Sequence, residues 1–179
     1  MVSLIPRSIE LMFDPLGPVL GIDPGLSRCG YGIVARERGD PRAIGCGVIR
    51  TPPADSLPDR LLALDDDLRQ LVAQVRPSAM AVERVLFQSN TRTAMSVGQA
   101  SGLALVIAAR AGIPVALYSP NEVKLAVTGN GRADKAAVQM MVTRLLNLAE
   151  IPKPPDAADA LALACCHLWR APLAAKVAT

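Results

Sequence analysis

Val19-Leu20-Gly21-Ile22-Asp23-Pro24-Gly25 decides how the rest of the chain is read. Four residues suited to a buried strand run into a carboxylate, and Pro24-Gly25 then turns the chain. The pattern recurs in Ala79-Met80-Ala81-Val82-Glu83, another apolar run closed by an acid. A third version opens a segment instead of closing it: Asp156-Ala157-Ala158-Asp159-Ala160-Leu161-Ala162-Leu163-Ala164. Isolated ionised groups are rarely buried unless they are paired or bound to a cation. Four acids in apolar settings therefore call for a partner, and for clustered carboxylates a hard divalent cation such as Mg²⁺ suits best. Such a centre points to metal-assisted phosphoryl chemistry.

Working outward, Cys29 to Arg36 and Ala43 to Thr51 read as two further strands, with Gly39-Asp40-Pro41 as their hairpin turn. A Pro-rich loop, Pro52 to Pro58, leads into a helix from about Asp59 to Val75, whose leucines and valines recur every three or four residues. Asp65-Asp66-Asp67 occupies consecutive helical positions, which do not share a face, so the run reads as solvated. Ser78 to Val85 is a strand and Thr91 to Ala111 a helix rich in small residues, suited to close packing or to a helix–helix dimer contact. Pro114 to Leu117 is a short strand. Asn121 to Val127 and Asp134 to Leu148 are helices around Gly129-Asn130-Gly131, and Asp156 to Trp169 is the last helix. The first three strands suit an antiparallel meander, and the next two need helical crossovers and so run parallel. The expected fold is α/β, a mixed five-stranded sheet flanked by helices. Residues 1–17 are expected to be a disordered N-terminal extension, 18–171 the domain and 172–179 a C-terminal tail.

Composition narrows the chemistry. A chain of 179 residues, 51% hydrophobic and 20% charged, suits one domain with a real core. The net charge of +3 permits a nucleic-acid partner without demanding one. No apolar run is long enough for a membrane span, and no signal-peptide pattern opens the chain. Cys29, Cys46, Cys165 and Cys166 lack metal-ligand spacing and read as small hydrophobes in a reduced, cytoplasmic protein. His167 is the only histidine, which excludes a His-rich zinc site.

Two strand ends that neighbour each other would bring Asp23 and Glu83 to one rim. Asp156 and Asp159, three apart on a helix, can face the same spot. Asp156 alone also suits the first turn of a helix, where the macrodipole favours an anion. A pair of cations about 3.5–4 Å apart would suit in-line displacement at phosphorus. In that scheme Asp23 bridges both, Glu83 and Asp159 each bind one, and Asp156 is a ligand or the general base.

The motifs match a known family in order: Val19-Leu20-Gly21-Ile22-Asp23-Pro24-Gly25-Leu26-Ser27, Ala81-Val82-Glu83-Arg84, Gly98-Gln99-Ala100-Ser101-Gly102, Val123-Lys124, Val127-Thr128-Gly129-Asn130-Gly131, Asp134-Lys135 and the Asp156–Asp159 segment. From Val19 to Trp169 the chain resembles the RuvC family of bacterial Holliday-junction resolvases. The resemblance implies an RNase H-like fold and a homodimer acting on four-way junction DNA in recombination and repair. It implies Mg²⁺ dependence with Mn²⁺ as a substitute, and the branch-migration proteins RuvA and RuvB as partners. It makes Asp23, Glu83, Asp156 and Asp159 the metal-binding catalytic carboxylates, and sets Lys124 and Lys135 near the scissile DNA. Arg84, Arg92 and Arg132 are further candidates for phosphate contacts. The family pattern has an aromatic three residues after the catalytic Glu. Here that place holds Leu86, followed by Phe87, so either could meet the junction. A nuclease acting on RNA–DNA hybrids and an actin-like or sugar-kinase-type phosphotransferase are the rival readings. The second would need another lobe, for which the chain has little room.

Overall fold

A computed structural model describes residues 17–85 and 91–177, with side chains of 91–93 and 171–177 outside the description. Its elements are β1 (Val19–Asp23), β2 (Arg28–Glu37), β3 (Asp40–Arg50), α1 (Leu57–Val75), β4 (Ala79–Glu83), α2 (Thr91–Arg110), β5 (Val115–Tyr118), α3 (Pro120–Thr128), α4 (Lys135–Leu145) and α5 (Pro155–Val177). The five strands form one sheet in the order β3-β2-β1-β4-β5. β1, β2 and β3 make the antiparallel meander, while β4 pairs parallel with β1 and β5 parallel with β4. The expected mixed sheet is therefore present, with β1 at its centre.

Alternation along the central strands sends side chains to two different layers. Leu20, Ile22, Ile33, Met80 and Val82 pack with Leu64, Leu68, Leu71 and Val72 of α1 and Ala100, Ala104 and Ile107 of α2. Each fully buried leucine or isoleucine there contributes about 1.5–3 kcal/mol. The opposite face carries small residues: Gly21 on β1, Gly30 and Gly32 on β2, and Ala79 and Ala81 on β4. α5 lies on this face, with α3 and α4 packed against it. A Cβ on Gly21 would fall 2.0 Å from the Ala160 carbonyl oxygen, one on Gly30 2.3 Å from that of Asp156, and one on Gly32 2.5 Å from the Leu161 nitrogen. Glycine is required at these three positions because the helix backbone rests directly on the sheet.

Several boundaries differ from those read in the sequence. The β2–β3 turn is Arg38-Gly39, both at positive φ (53° and 97°), and Pro41 lies inside β3 opposite Arg36. A two-residue turn with left-handed backbone matches the strand twist, and an edge strand tolerates proline. α1 begins at Leu57, inside the proline-rich loop. Ser56 caps it by accepting a hydrogen bond from the Asp59 N–H, and proline fits the first turn. Asp134 is the N-cap of α4, its side chain accepting from the Ala137 N–H at 2.7 Å, so the helix starts at Lys135. α5 continues to Val177, past the expected end at Trp169. The cysteines are free, and Cys165 and Cys166 are buried as expected. Of the Asp65-Asp66-Asp67 run, expected to be solvated, only Asp66 is exposed; Asp65 is half-buried and pairs with Arg69, and Asp67 is half-buried beside Tyr31, Ile49 and Leu71. Among the described residues no helix is long and apolar enough to cross a membrane.

Candidate active site

Residues Ile22 and Val82 are register partners on β1 and β4, so Asp23 and Glu83 leave adjacent parallel strands at the same edge. Both strands put their odd-numbered residues on the α5 face, which aims the two carboxylates toward α5. The close seating of α5 on Gly21 and Gly30 brings Asp156 and Asp159 to that edge. A cavity of about 220 Å³ opens there, lined by Asp23, Glu83 and Asp159, by Lys124 of α3 and Lys135 of α4, and by apolar residues of α3 to α5.

The electrostatics show how crowded this edge is. Burial first, then the charges of Glu83, Asp159 and Asp156, push the Asp23 carboxyl up to about 7. Burial and the Asp159 charge also raise Glu83. Each α5 acid is held by a cation from elsewhere in the chain. Lys135 Nζ lies 2.5 Å from Asp159 Oδ2. Arg28, the first residue of β2, donates from Nε to Asp156 Oδ2 at 3.1 Å and makes a second bond from Nη2 to the same oxygen. Burial pushes Asp156 up, but the Arg28 hydrogen bonds and charge prevail and hold it below its ordinary value. Asp156 thus sits at the rim and does not line the cavity. The lysine amine of Lys135 is disfavoured by partial burial, yet its bond to Asp159 and the surrounding acids outweigh this and hold the charge on.

Among the described residues no three acidic, histidine or cysteine side chains are arranged as a ready metal cage. The quartet converges on one edge, but two of its members are turned toward Arg28 and Lys135. The donor chemistry nonetheless fits a hard cation. Oxygen ligands surround a carboxyl that burial and like charge strain toward protonation, and a divalent ion would relieve both.

The other expected contacts divide. Lys124 faces the cavity. Arg132 is exposed on the turn between α3 and α4, whose backbone N–H donates to Asn130 Oδ1 at 3.0 Å. Arg84 is exposed just past Glu83 and reaches the Leu117 carbonyl at 3.3 Å, along the β5 edge. Leu86, Phe87 and the Arg92 side chain lie outside the described residues. His167 takes no part: it meets the Tyr118 hydroxyl through Nδ1 at 2.9 Å.

Sequence reasoning missed Arg28 and the glycines. Arg28 meets a residue 128 positions away, and nothing local announces this. The glycines did leave a signal: Gly30 and Gly32, two apart in a strand, flatten one face. Gly25 belongs with them, since a Cβ there would meet the Arg28 carbonyl oxygen at 2.3 Å.

Comparison with known proteins shows the family and the fold. The family described as crossover junction endodeoxyribonuclease RuvC matches residues 19–167. A protein of that name from Salinispora arenicola is 61% identical over 153 residues, 85% of this chain and 87% of its own. One from Streptomyces avermitilis is 58% identical over 155 residues, 86% and 88% of the two chains. Among solved structures, Thermus thermophilus RuvC in complex with Holliday junction substrate superposes with a TM-score of 0.83 at 37% identity. That match covers 88% of this chain and 96% of the other. The yeast mitochondrial Holliday junction resolvase, at 17% identity and a TM-score of 0.63 over 90% and 83% of the chains, shares the fold. The architecture is RNase H-like, and neither the hybrid-nuclease nor the phosphotransferase reading is favoured by these relatives. With its acids on adjacent strand ends and α5, and the match running from β1 well into α5, the chain belongs to the RuvC family of crossover junction endodeoxyribonucleases.

Proposed function

We propose that the protein resolves four-way DNA junctions by paired, symmetric, Mg²⁺-dependent nicks in recombination and repair. The observation that carries this is the meeting of Asp23, Glu83 and Asp159 around one cavity with two lysines on its wall, in a chain of this nuclease family. Asp23, Glu83 and Asp159 would hold the metal, with Asp156 joining them or serving as general base. When bound, a pair of divalent cations supplies an activated water and charge stabilisation at both oxygens of an in-line displacement.

The chain's own groups supply the rest. Asp23, between the β4 and β2 strand ends, is central among the acids and would be a ligand to the metal. Lys135 stays protonated beside Asp159 and offers its ammonium to charge developing on the phosphoryl oxygens. Lys124 on the same wall, with Arg132, Arg84 and Arg92, would hold backbone phosphates, so binding should weaken steeply with salt. Leu86 or Phe87 would meet the exposed bases of the junction. Mn²⁺ would replace Mg²⁺, both being hard oxygen-seeking ions.

Two symmetric nicks require two copies of the site, hence a homodimer. α2 supports this reading, with Met95 and Val106 exposed at 65% and 47% and Gly98 and Gly102 facing open space. Work in the bacterial cytoplasm beside RuvA and RuvB follows from the family alone.

The experiment is a comparison of binding with cutting. Asp23→Asn should retain a synthetic four-way junction in a gel-shift assay and fail to nick it. Retained cutting would remove Asp23 from the centre, and loss of binding with intact folding would remove the separation of the two roles.

A further inference from the structure

The phosphate contacts proposed so far lie on the β4–β5 side of the acids, on α3, α4 and the segments beside them. The other side of the edge carries a basic group whose charge the acids only partly use. Arg28 begins β2 and Arg50 ends β3, and their Cα atoms are register partners. Directly opposed residues on antiparallel strands project from the same face. For these two it is the α5 face, because Cys29 and Ile49 between them point into the α1 core. Arg60, in the first turns of α1, reaches the same corner. Its Nε donates to Thr51 Oγ1 at 3.0 Å and its Nη2 to Ser27 Oγ at 2.6 Å. Thr51 in turn donates to the Leu26 carbonyl at 2.6 Å, tying the β1–β2 loop to the end of β3.

The charges at this corner do not cancel. Arg28 meets Asp156, but its side chain remains 41% exposed. Arg60 is bonded to hydroxyls and so keeps its full charge. Arg50 is exposed, and among the described residues its side chain makes no hydrogen bond or ion pair. The acids nearest in sequence are Asp55 and Asp59, and Asp59 accepts from the Ser56 hydroxyl at 2.5 Å. Loop architecture accounts for Arg60 and carboxylate orientation for part of Arg28. Neither accounts for Arg50.

We propose that Arg28, Arg50 and Arg60 form a phosphate-binding ridge that holds the DNA backbone on the β2–β3 side of the acidic centre. The inference rests on the nuclease reading above and extends it to a surface on the far side of the scissile position. β3 lies two strands from β1, about 10 Å at the usual strand spacing. At the rise of a nucleic-acid strand, this is about three nucleotides from Asp23. Guanidinium forks match phosphate oxygens in pairs, and Arg50 has its fork open. The substrate strand is then gripped on both sides of the acids, by lysines on one and arginines on the other.

Arg50→Ala is the decisive variant, because the Arg50 side chain is exposed and holds no hydrogen bond or ion pair among the described residues. It is made in the full chain carrying Asp23→Asn, which leaves DNA uncut, and binding of a synthetic four-way junction and a linear duplex is measured against salt. Loss of one phosphate contact should weaken binding several-fold irrespective of base sequence and lower the log–log salt slope by about 0.7–0.9. Adding Arg28→Ala should lower it further. Arg42→Ala, at the hairpin end of β3, should leave affinity and slope unchanged. An unchanged slope for Arg50→Ala, or an equal loss for Arg42→Ala, would overturn the ridge. Failure of the junction reading would look different: junction and duplex would bind equally well, whatever Arg50→Ala did to the slope.

Discussion

The two faces of the sheet are built from the same strands by opposite rules. On the α1–α2 face, Leu20, Ile22, Ile33 and Met80 stand tall and bury area. On the α5 face, Gly21, Gly30 and Gly32 have no side chain, and α5 answers with Ala157, Ala158, Ala160 and Ala164. The first face gains stability from volume. The second gives up volume so that a helix backbone can lie against the strands, which carries Asp156 and Asp159 to the ends of β1 and β4. Both faces bury an apolar core, the second through Val19, Val34, Leu161 and Leu163, but only the second also sets the positions of charged groups that work against the fold.

This division can be broken in several ways, the strongest at Asp23. Asp23→Asn should lower junction cleavage on the order of 10³-fold or more, since it removes a group worth several kcal/mol of charge stabilisation. Single-turnover kinetics at saturating Mg²⁺ would check this.

The same residue should make the α5 face costly without metal. Because the folded chain raises the Asp23 carboxyl to about 7, it holds a proton that the unfolded chain releases near pH 4. That stabilising proton is fully held below about pH 4 and is lost as pH rises through 7. In chelator, wild-type stability relative to Asp23→Asn should therefore fall between pH 4 and 8, by up to roughly 4 kcal/mol. Urea unfolding across that range would show it, and a difference that stays flat or rises with pH would contradict the crowding of the acids. Added Mg²⁺ should restore the wild type at pH 8 and leave Asp23→Asn unmoved.

A methyl group sharpens the contrast between faces. Gly21→Ala adds one where the Ala160 carbonyl stands, costing about 1–3 kcal/mol of overpacking. It should also cut activity on the order of 10²-fold, because α5 moves relative to Asp23. Ile22→Val removes one methyl from the other face, costing about 0.5–1.5 kcal/mol and leaving kcat of the folded enzyme unchanged. Equal kinetic effects from the two would erase the distinction. The smallest change lies far from the acids. Arg76 caps α1 with left-handed backbone, φ 48°, and Arg76→Gly should stabilise by about 0.5 kcal/mol in thermal melts without altering activity.

Much of this was legible in the chain because the signals were local. A carboxylate closing an apolar run marks a strand end, so Asp23 and Glu83 could be placed at strand ends that would share a rim if their strands were neighbours. The β1–β4 pairing that makes them neighbours spans β2, β3 and α1 and has no local signal. The Asp156–Asp159 spacing showed a shared helical face. Long-range pairing was not legible: neither the Arg28–Asp156 pair nor the opposition of Arg28 and Arg50 leaves a trace in local pattern. The β2–β3 hairpin was misread because Pro41 resembles a turn residue, whereas an edge strand accommodates it. Asp156 fitted both a helix start and a metal ligand, and the fold preserves that duality by pairing it with Arg28 at the rim.

Whether these acids form a cation-dependent centre for junction DNA is decided by mapping cuts on a four-way junction labelled on each strand, with Mg²⁺ and with chelator, beside a linear duplex of the same sequence. Nicks are expected at symmetric positions on two opposed strands, with Mg²⁺ only and on the junction only. Cutting that persists in chelator, or that falls equally on the linear duplex, would contradict it.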